Sequence, residues 1–253
     1  MDSISDLVEF WRKLECAEKP AGFLHPLDRK HVIDKGAIHP QSPTEFFRDH
    51  LRTKGPDRRI IASLIPKPFI GSLERSRVVI VLANPGFEPG DLSETGHGGF
   101  QDALWQNLRQ TIPPGKFPFF FLNPEFAWHP GFRWWNRVLG KLIKDFAPRH
   151  GSELGALSFL ADRIVCIESF PYHSAEFPGG WAWKLPSSKK AKAAVDHLIV
   201  KRDRLVHIIR PREWSRALAS DGTLLVGSAN SRNCALSDEA LSLYRRFLID
   251  EAR

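Results

Sequence analysis

From residue 77 onward, short apolar runs alternate with helical segments, and this alternation constrains the fold more than any other feature. The runs predict β-strands at 78–83, 118–122, 163–168, 205–209 and 223–227. The segments between them predict helices at 100–110, 134–146, 153–160, 189–201 and 212–219, with a last helix capped by Ser237. Short, almost wholly apolar strands separated by helices are typical of a mostly parallel sheet covered on both faces. The sequence therefore predicts an α/β fold.

The first seventy residues predict an N-terminal helical elaboration packed on an α/β core of residues 71–253. One apolar face at helical spacing is formed by Leu7, Phe10, Trp11 and Leu14. A second helix is predicted after Ser42, which is followed by proline and, three residues on, by Glu45, the pattern of a capping box. Gly55 is expected to end that helix.

Composition points to a folded cytoplasmic protein without a membrane partner. The 253 residues are 42% hydrophobic and include 8 Trp and 18 Phe, which argues against disorder. No apolar run approaches the roughly 18 residues of a membrane span, and the first residues lack the order of a secretory signal. The formal charge of +7 suits a polyanionic partner, so nucleic acid is one expected partner class. We expect a monomer.

The cysteines and histidines predict neither a metal centre nor a disulfide framework. The 3 Cys residues are far apart in sequence and cannot supply the thiolates of a four-cysteine zinc site or of an iron–sulfur cluster. No two histidines have the H-x-x-x-H spacing of a helical metal site. We therefore expect no metal and no cofactor, and a reducing compartment.

Three of the predicted strands are followed directly by polar, turn-forming stretches. These stretches are residues 84–87, 169–174 and 228–233. Ligands of parallel α/β sheets bind beyond the carboxyl ends of the strands. If the strands are assigned correctly, the three stretches share one cleft.

The first stretch, Asn84-Pro85-Gly86, has two interpretations that the residues alone leave open. Proline followed by glycine fits the second and third positions of a type II turn, with the asparagine side chain capping the turn. The same asparagine, at a strand end, is also placed to hold a ligand or a water molecule in a cleft.

The combination of "LANPGF", "ESFPYHS" and "GSANSRNCALS" at three strand ends resembles the uracil-DNA glycosylase superfamily. The first motif of that family is written GQDPY in one branch and GINPG in others, and residues 82–86 are similar to the second kind. The resemblance spans residue 77 to the C-terminus, about two-thirds of the chain. It implies a three-layer α/β/α fold, and it implies that Asn84 orients the attacking water.

The family also implies a base-binding pocket. An aromatic ring after the first motif stacks on the flipped base, and Phe100 is the first candidate, with Phe87 second and a core position as the alternative. The family often reads the pyrimidine edge with asparagine, where this chain has Glu168 followed by Ser169. An ionised carboxylate accepts but does not donate hydrogen bonds, so it predicts a base with an amino or imino donor. The alternative is that Glu168 pairs with an arginine.

The second family motif, often His-Pro-Ser-Pro, is replaced here by residues 228–233 without a histidine. In this stretch Asn230 or Ser228 is the candidate donor to the departing base, and Ser228, Ser231 and Arg232 are candidates for contact with DNA. The alternative is that these residues precede and cap the last helix. His129 and His173 are further candidates that could replace the missing imidazole, although a lone histidine is more often structural.

The leading hypothesis is a DNA glycosylase-like enzyme that flips a damaged or modified base and cleaves its N-glycosidic bond. Its partner is DNA, with RNA or a modified nucleotide as alternatives. A rival hypothesis is a catalytically inactive nucleic-acid-binding protein of the same fold, which the altered second motif favours. A third is an unrelated α/β enzyme acting on a small nucleotide or nucleoside.

Overall fold

The computed structural model describes residues 3–17, 21–50, 57–210, 214, 223–227 and 235–249. The helices in these ranges are α1 (Ser3–Arg12), α2 (Pro26–Asp34), α3 (Pro43–His50), α4 (Gly98–Arg109), α5 (Pro130–Val138), α6 (Gly140–Phe146), α7 (Glu153–Arg163), α8 (Pro186–Lys201) and α9 (Asp238–Ile249). The strands are β1 (Ala37–Ile38), β2 (Ile60–Ile61), β3 (Phe69–Ile70), β4 (Val78–Leu82), β5 (Ile164–Glu168), β6 (Leu205–Ile208) and β7 (Leu224–Val226).

The main sheet has five strands in the order β3-β5-β4-β6-β7. Its four later strands are parallel, and β3 is antiparallel to β5 at one edge. The predicted α/β class and the mostly parallel sheet are therefore confirmed, while the antiparallel edge strand was not predicted. In the β4–β5 pairing Leu82 lies opposite Glu168, so both strands end at the same level.

The two faces of the sheet contribute to two separate hydrophobic clusters. In β4, Val78 and Ile80 belong to one cluster, while Val79 and Val81 belong to the other. This follows from the two-residue period of a strand, which sends successive side chains to opposite faces. Both clusters also contain helical residues, so helices cover the sheet on each side, and the strands are apolar except for Glu168 in β5 and His207 in β6.

The N-terminal segment is part of the same core. Leu7 and Trp11 of α1 are buried in the cluster that includes Val79 and Val81. The edge strand β3 also comes from the first seventy residues, so the main sheet crosses the expected boundary at residue 70. At α3, the hydroxyl of Ser42 accepts a hydrogen bond from the Glu45 backbone N–H at 3.2 Å, as the capping pattern predicts.

Two predicted elements differ from the structure. The run at 118–122 is not a strand, because its buried phenylalanines form a 3₁₀ turn at Phe120–Leu122. A short apolar run does not distinguish a buried strand from a buried turn. The helix predicted at 134–146 is two helices, α5 and α6, which meet beside Gly140, a residue that weakens a continuous helix.

The C-terminal part is described only in pieces. The cap of α9 is as predicted, since the Ser237 hydroxyl accepts a hydrogen bond from the Ala240 backbone N–H at 3.2 Å. Gly55 lies outside the described residues, and so does the helix predicted at 212–219 apart from Trp214. Across the described ranges, no helix has both the length and the apolar character that crossing a bilayer requires.

Candidate functional site

The carboxyl ends of β4, β5 and β6 open into one cavity of about 1250 Å³. Its lining includes residues 84–87 after β4 and Glu168 at the end of β5. It also includes His173 in the connection after β5, and Ile209 and Arg210 after β6. Chain connections diverge here, because β4 lies between β5 and β6 in the sheet. The expectation that the polar stretches after the first two strands share a cleft is confirmed.

The corner after β4 does not form the type II turn that its sequence suggests, because the backbone of residues 84–88 contains neither a turn nor a bend. Gly86 nevertheless has a φ of 71°, in the left-handed region that favours glycine. The side-chain amide of Asn84 donates to the backbone carbonyl and to the hydroxyl oxygen of Ser174, each at 3.1 Å. Both amide protons are thereby used, which leaves Asn84 Oδ1 as an acceptor at the wall of the cavity. The contacts of the amide and a water-holding role for Oδ1 are therefore compatible.

Glu168 ends β5 as a buried carboxyl group with one unpaired oxygen. Its Oε1 accepts a hydrogen bond from the Cys166 thiol at 3.6 Å, and its Oε2 has no hydrogen-bond partner. Burial raises the pKa of Glu168 to about 8, so the group is mostly protonated at neutral pH. The expectation of an ionised carboxylate is thus wrong, as is the alternative of an arginine partner among the described residues. A protonated carboxyl both donates and accepts hydrogen bonds.

The two candidate stacking rings occupy different environments. Phe87 lines the cavity and packs edge-on against Phe46, with ring centroids 4.7 Å apart. Phe100 is instead 1% exposed in the core, where its ring stacks on His129 at 4.5 Å. The expectation that Phe100 stacks on a base is therefore wrong, because α4 turns this side chain into the hydrophobic cluster rather than into the cavity.

Ser169, expected beside the base, has a structural contact instead. Its hydroxyl donates to the backbone carbonyl of Ala83 at 2.9 Å, and its own backbone N–H donates to Leu82. The side chain is fully buried and is not among the residues that line the cavity. Ser169 thus ties the connection after β5 to the end of β4.

His173 lines the cavity, but both of its ring nitrogens are already used. Nδ1 lies 3.0 Å from the carbonyl oxygen of Gly86 and must carry the proton, since a carbonyl only accepts. Nε2 then accepts from the Lys67 ammonium at 2.7 Å. Burial and the Lys67 charge lower the pKa of His173 to about 3, so the ring is neutral. His173 therefore holds the backbone at Gly86 in place and has no free N–H for a ligand.

A buried charged network behind this wall was not predicted. The Lys67 ammonium donates to Glu94 Oε1 at 2.7 Å, and His129 Nε2 lies 2.8 Å from the same oxygen. Burial alone raises the pKa of Glu94, but Lys67 and the His129 hydrogen bond reverse this and hold it at about 2. Lys67 is only 2% exposed and lines the cavity. Its sequence context, a lysine between two prolines, predicts only a linker.

Asp91, Glu94 and His129 have their donor atoms within 4.8 Å of one another, which is the spacing of a metal site. The hydrogen bonds do not suit a metal, however. His129 Nδ1 accepts from the Gly131 backbone N–H at 2.8 Å, so the neutral ring carries its proton on Nε2 and donates it to Glu94. Lys67 occupies the same carboxylate oxygen. Burial and the Glu94 charge raise the pKa of Asp91 to about 7. Glu94 and His129 form a hydrogen-bond network with Lys67, and Asp91 lies beside it with its Oδ1 3.6 Å from His129 Nε2.

Aromatic and basic side chains form the outer walls of the cavity. The rings are Trp134 and Trp135 of α5 together with Phe177 and Trp183 from the connection between β5 and α8. The Phe177 and Trp183 rings are 5.2 Å apart. Arg137 and Arg210 also line the opening. Rings with nearby guanidinium groups suit a planar base attached to a phosphate.

The remaining expected site residues, Ser228, Asn230, Ser231 and Arg232, lie outside the described residues. Their roles therefore stay predictions. The site consists of the two strand ends, the neutral Glu168 and the Lys67 network. The chain matches no family model, no curated protein and no solved structure.

Proposed function

We propose that the protein is a three-layer α/β/α hydrolase, resembling uracil-DNA glycosylases, that cleaves the N-glycosidic bond of a damaged or modified base in DNA. The observation that carries the proposal is the position of Asn84 and Glu168 at the ends of adjacent parallel strands on one aromatic-lined cavity. The formal charge of +7 supports a polyanionic substrate.

The cavity suits a nucleotide extruded from the base stack. Its volume of about 1250 Å³ exceeds the roughly 300–1,000 Å³ of ordinary small-molecule pockets, which leaves room for a sugar and phosphate beside the base. Flipping a nucleotide costs a few kcal/mol, and stacking on an aromatic ring returns about 1–3 kcal/mol per base. Phe87, Phe177 and Trp183 are among the rings that line the cavity and are candidates for this stacking.

Glu168 is the group that reads the edge of the base. In its protonated form Oε2 donates to a carbonyl oxygen or ring nitrogen, while Oε1 accepts from a neighbouring N–H. A base that presents a donor next to an acceptor therefore satisfies both oxygens. This includes uracil and hypoxanthine, which an ionised carboxylate would bind less well.

Bond cleavage needs a held water and a stabilised leaving group. Asn84 Oδ1 accepts a hydrogen bond from the water, whose oxygen attacks the sugar carbon as the carbon–nitrogen bond breaks. The electron pair of that bond stays on the departing base, which finally takes the proton that the water releases. Two of the three Lys67 N–H groups bond to Glu94 and His173, so the third can face the negative charge of the base.

The test is incubation with oligonucleotides that carry uracil, hypoxanthine, xanthine, alkylated or hypermodified bases, followed by measurement of abasic sites. We expect a product on at least one substrate and a loss of about 10²–10³-fold in rate for Asn84→Ala. Asn136→Ala is the matched control, since Asn136 is exposed on α5 and outside the cavity lining. Absence of product on every substrate, or an undiminished rate for Asn84→Ala, would refute the proposal.

A second candidate function is nucleic-acid binding without catalysis. It is favoured by the two buried histidines, because His129 and His173 both use their ring nitrogens within the protein. It predicts DNA or RNA binding that weakens as salt rises, with no abasic product. An affinity that is unchanged between low and moderate salt would count against it.

A further inference from the structure

A second concave site lies at the opposite end of the sheet. It is a cleft of about 440 Å³ that receives Arg77, immediately before β4, and Arg163, immediately before β5. The candidate catalytic cavity opens beyond the other ends of these same strands. The second cleft, here called the arginine cleft, therefore belongs to a different surface of the molecule.

Basic side chains from separate parts of the chain converge on the arginine cleft. They are Arg75, Arg77, Arg149, His150 and Arg163. Asp162 is the one acidic residue among the described residues that line it. Counting the described lining residues alone, four guanidinium groups and one carboxylate leave a formal excess of three positive charges, with His150 counted as neutral. Such an excess in one concavity attracts anions.

Asp162 is already shared between two of the arginines. Its Oδ1 accepts from Arg75 Nε at 2.8 Å, and its Oδ2 lies 3.7 Å from Arg163 Nη1. Arg149 has no carboxylate partner within the described part of the chain. The carboxylate thus offsets only part of the positive charge.

Aromatic rings hold the guanidinium groups in place. The Cζ of Arg163 lies 4.1 Å from the centre of the Phe159 ring, and His150 stacks on Phe159 at 4.2 Å. The Cζ of Arg149 lies 5.9 Å from the Phe146 ring. A guanidinium that stacks through its face keeps its N–H groups in the plane at its edge, where they can bind an oxyanion in pairs.

We propose that the arginine cleft is a binding site for phosphate groups. Planar guanidinium forks match the oxygens of a phosphate, and the cleft has the volume of a small-ligand site. The Phe159 ring already contacts Arg163 and stacks with His150 and Phe146, so it is occupied by protein side chains rather than offered to a base. The ligand is therefore recognised through its phosphates, whether it is a free pyrophosphate or the backbone of a nucleic acid.

Titration calorimetry with pyrophosphate and with a single-stranded oligonucleotide tests the proposal in the full-length chain. Arg149→Ala and Arg163→Ala should each weaken pyrophosphate binding roughly tenfold, as expected for a lost charge-assisted hydrogen bond. Asp162→Asn should tighten it several-fold, because the variant removes the competing carboxylate. A misfolded protein cannot produce this gain. Lys192→Ala on α8 is the control and should leave the affinity unchanged.

The two phosphate sources are separated by competition. If pyrophosphate displaces the oligonucleotide, the cleft binds nucleic-acid phosphates, and if it does not, the cleft takes only the free anion. No pyrophosphate binding, or binding that Asp162→Asn weakens, would overturn the proposal. The result does not depend on glycosidic cleavage, because Asn84→Ala should lower the rate of abasic-site formation and retain full pyrophosphate affinity.

Discussion

The charged groups at the two ends of the parallel sheet differ in their exposure to solvent. At the carboxyl ends of β4 and β5, Lys67, Glu94 and His129 are buried and satisfy one another through short hydrogen bonds. At the amino ends, Arg75 and Arg163 are partly exposed and share one carboxylate. A buried charge depends on its protein partner, whereas an exposed charge depends mainly on water, salt or ligand.

The difference in exposure determines which role each end of the sheet suits. Buried, paired groups keep a fixed arrangement and fixed protonation states, which suits the positioning of a reacting bond. Exposed arginines in excess over acids are suited to recruiting an anion. The same sheet therefore supports chemistry at one end and electrostatic binding at the other.

Removal of the buried lysine should have the largest effect. Lys67→Met leaves the Glu94 carboxylate buried without its cation, and breaking such a pair typically destabilises a protein by about 3–5 kcal/mol. Urea denaturation should show this loss in the free energy of unfolding. The double variant Lys67→Met/Glu94→Gln should recover part of it, since no unpaired charge remains. A loss below about 1 kcal/mol for the single variant would show that the network is not the buried ion pair described here.

The next largest effect should be a pH dependence that Glu168 introduces. In the folded protein the group stays protonated up to a pKa of about 8, while in the unfolded chain it ionises above 4.5. The unfolded state therefore binds fewer protons between these values, and the free energy of unfolding falls by about 1.4 kcal/mol per pH unit.

Glu168→Gln removes this dependence. Relative to the wild type, the variant should gain stability steadily from about pH 5 to pH 8 and change little below that range. Urea denaturation at several pH values measures the difference between the two proteins. A difference that does not vary with pH would mean that Glu168 ionises normally in the folded state.

The α/β class and the mostly parallel sheet were predictable because their signals are local. The apolar strands β4, β5 and β6 and the capped start of α3 each follow from a few neighbouring residues. The turn interpretation of Asn84-Pro85-Gly86 was wrong, because proline followed by glycine permits a type II turn but does not impose one.

The interior of the site was less predictable because it depends on contacts between distant residues. Lys67 is 106 residues from His173 in sequence, and nothing in the sequence around it indicates an ammonium enclosed by histidines and a glutamate. The protonation of Glu168 could not be predicted either, because burial determines it. The position predicted for Phe100 was wrong because the sequence does not show how α4 packs on the rest of the protein. That packing determines whether an aromatic side chain on the helix faces the core or the cavity.

The smallest effect on the free energy of unfolding is expected at the amino ends of the strands, where the charged groups are exposed. Its dependence on salt distinguishes an exposed ion pair from a buried one. The Arg75–Asp162 pair is about half exposed, so Arg75→Gln should lower the free energy of unfolding by less than about 1 kcal/mol. At about 1 M salt, where the screening length is roughly 3 Å, that loss should vanish. The loss from Lys67→Met should persist at the same salt, because solvent ions do not reach a buried pair. Urea denaturation of both variants at low and high salt makes the comparison, and equal salt sensitivity in the two would mean that both ends of the sheet are equally solvated.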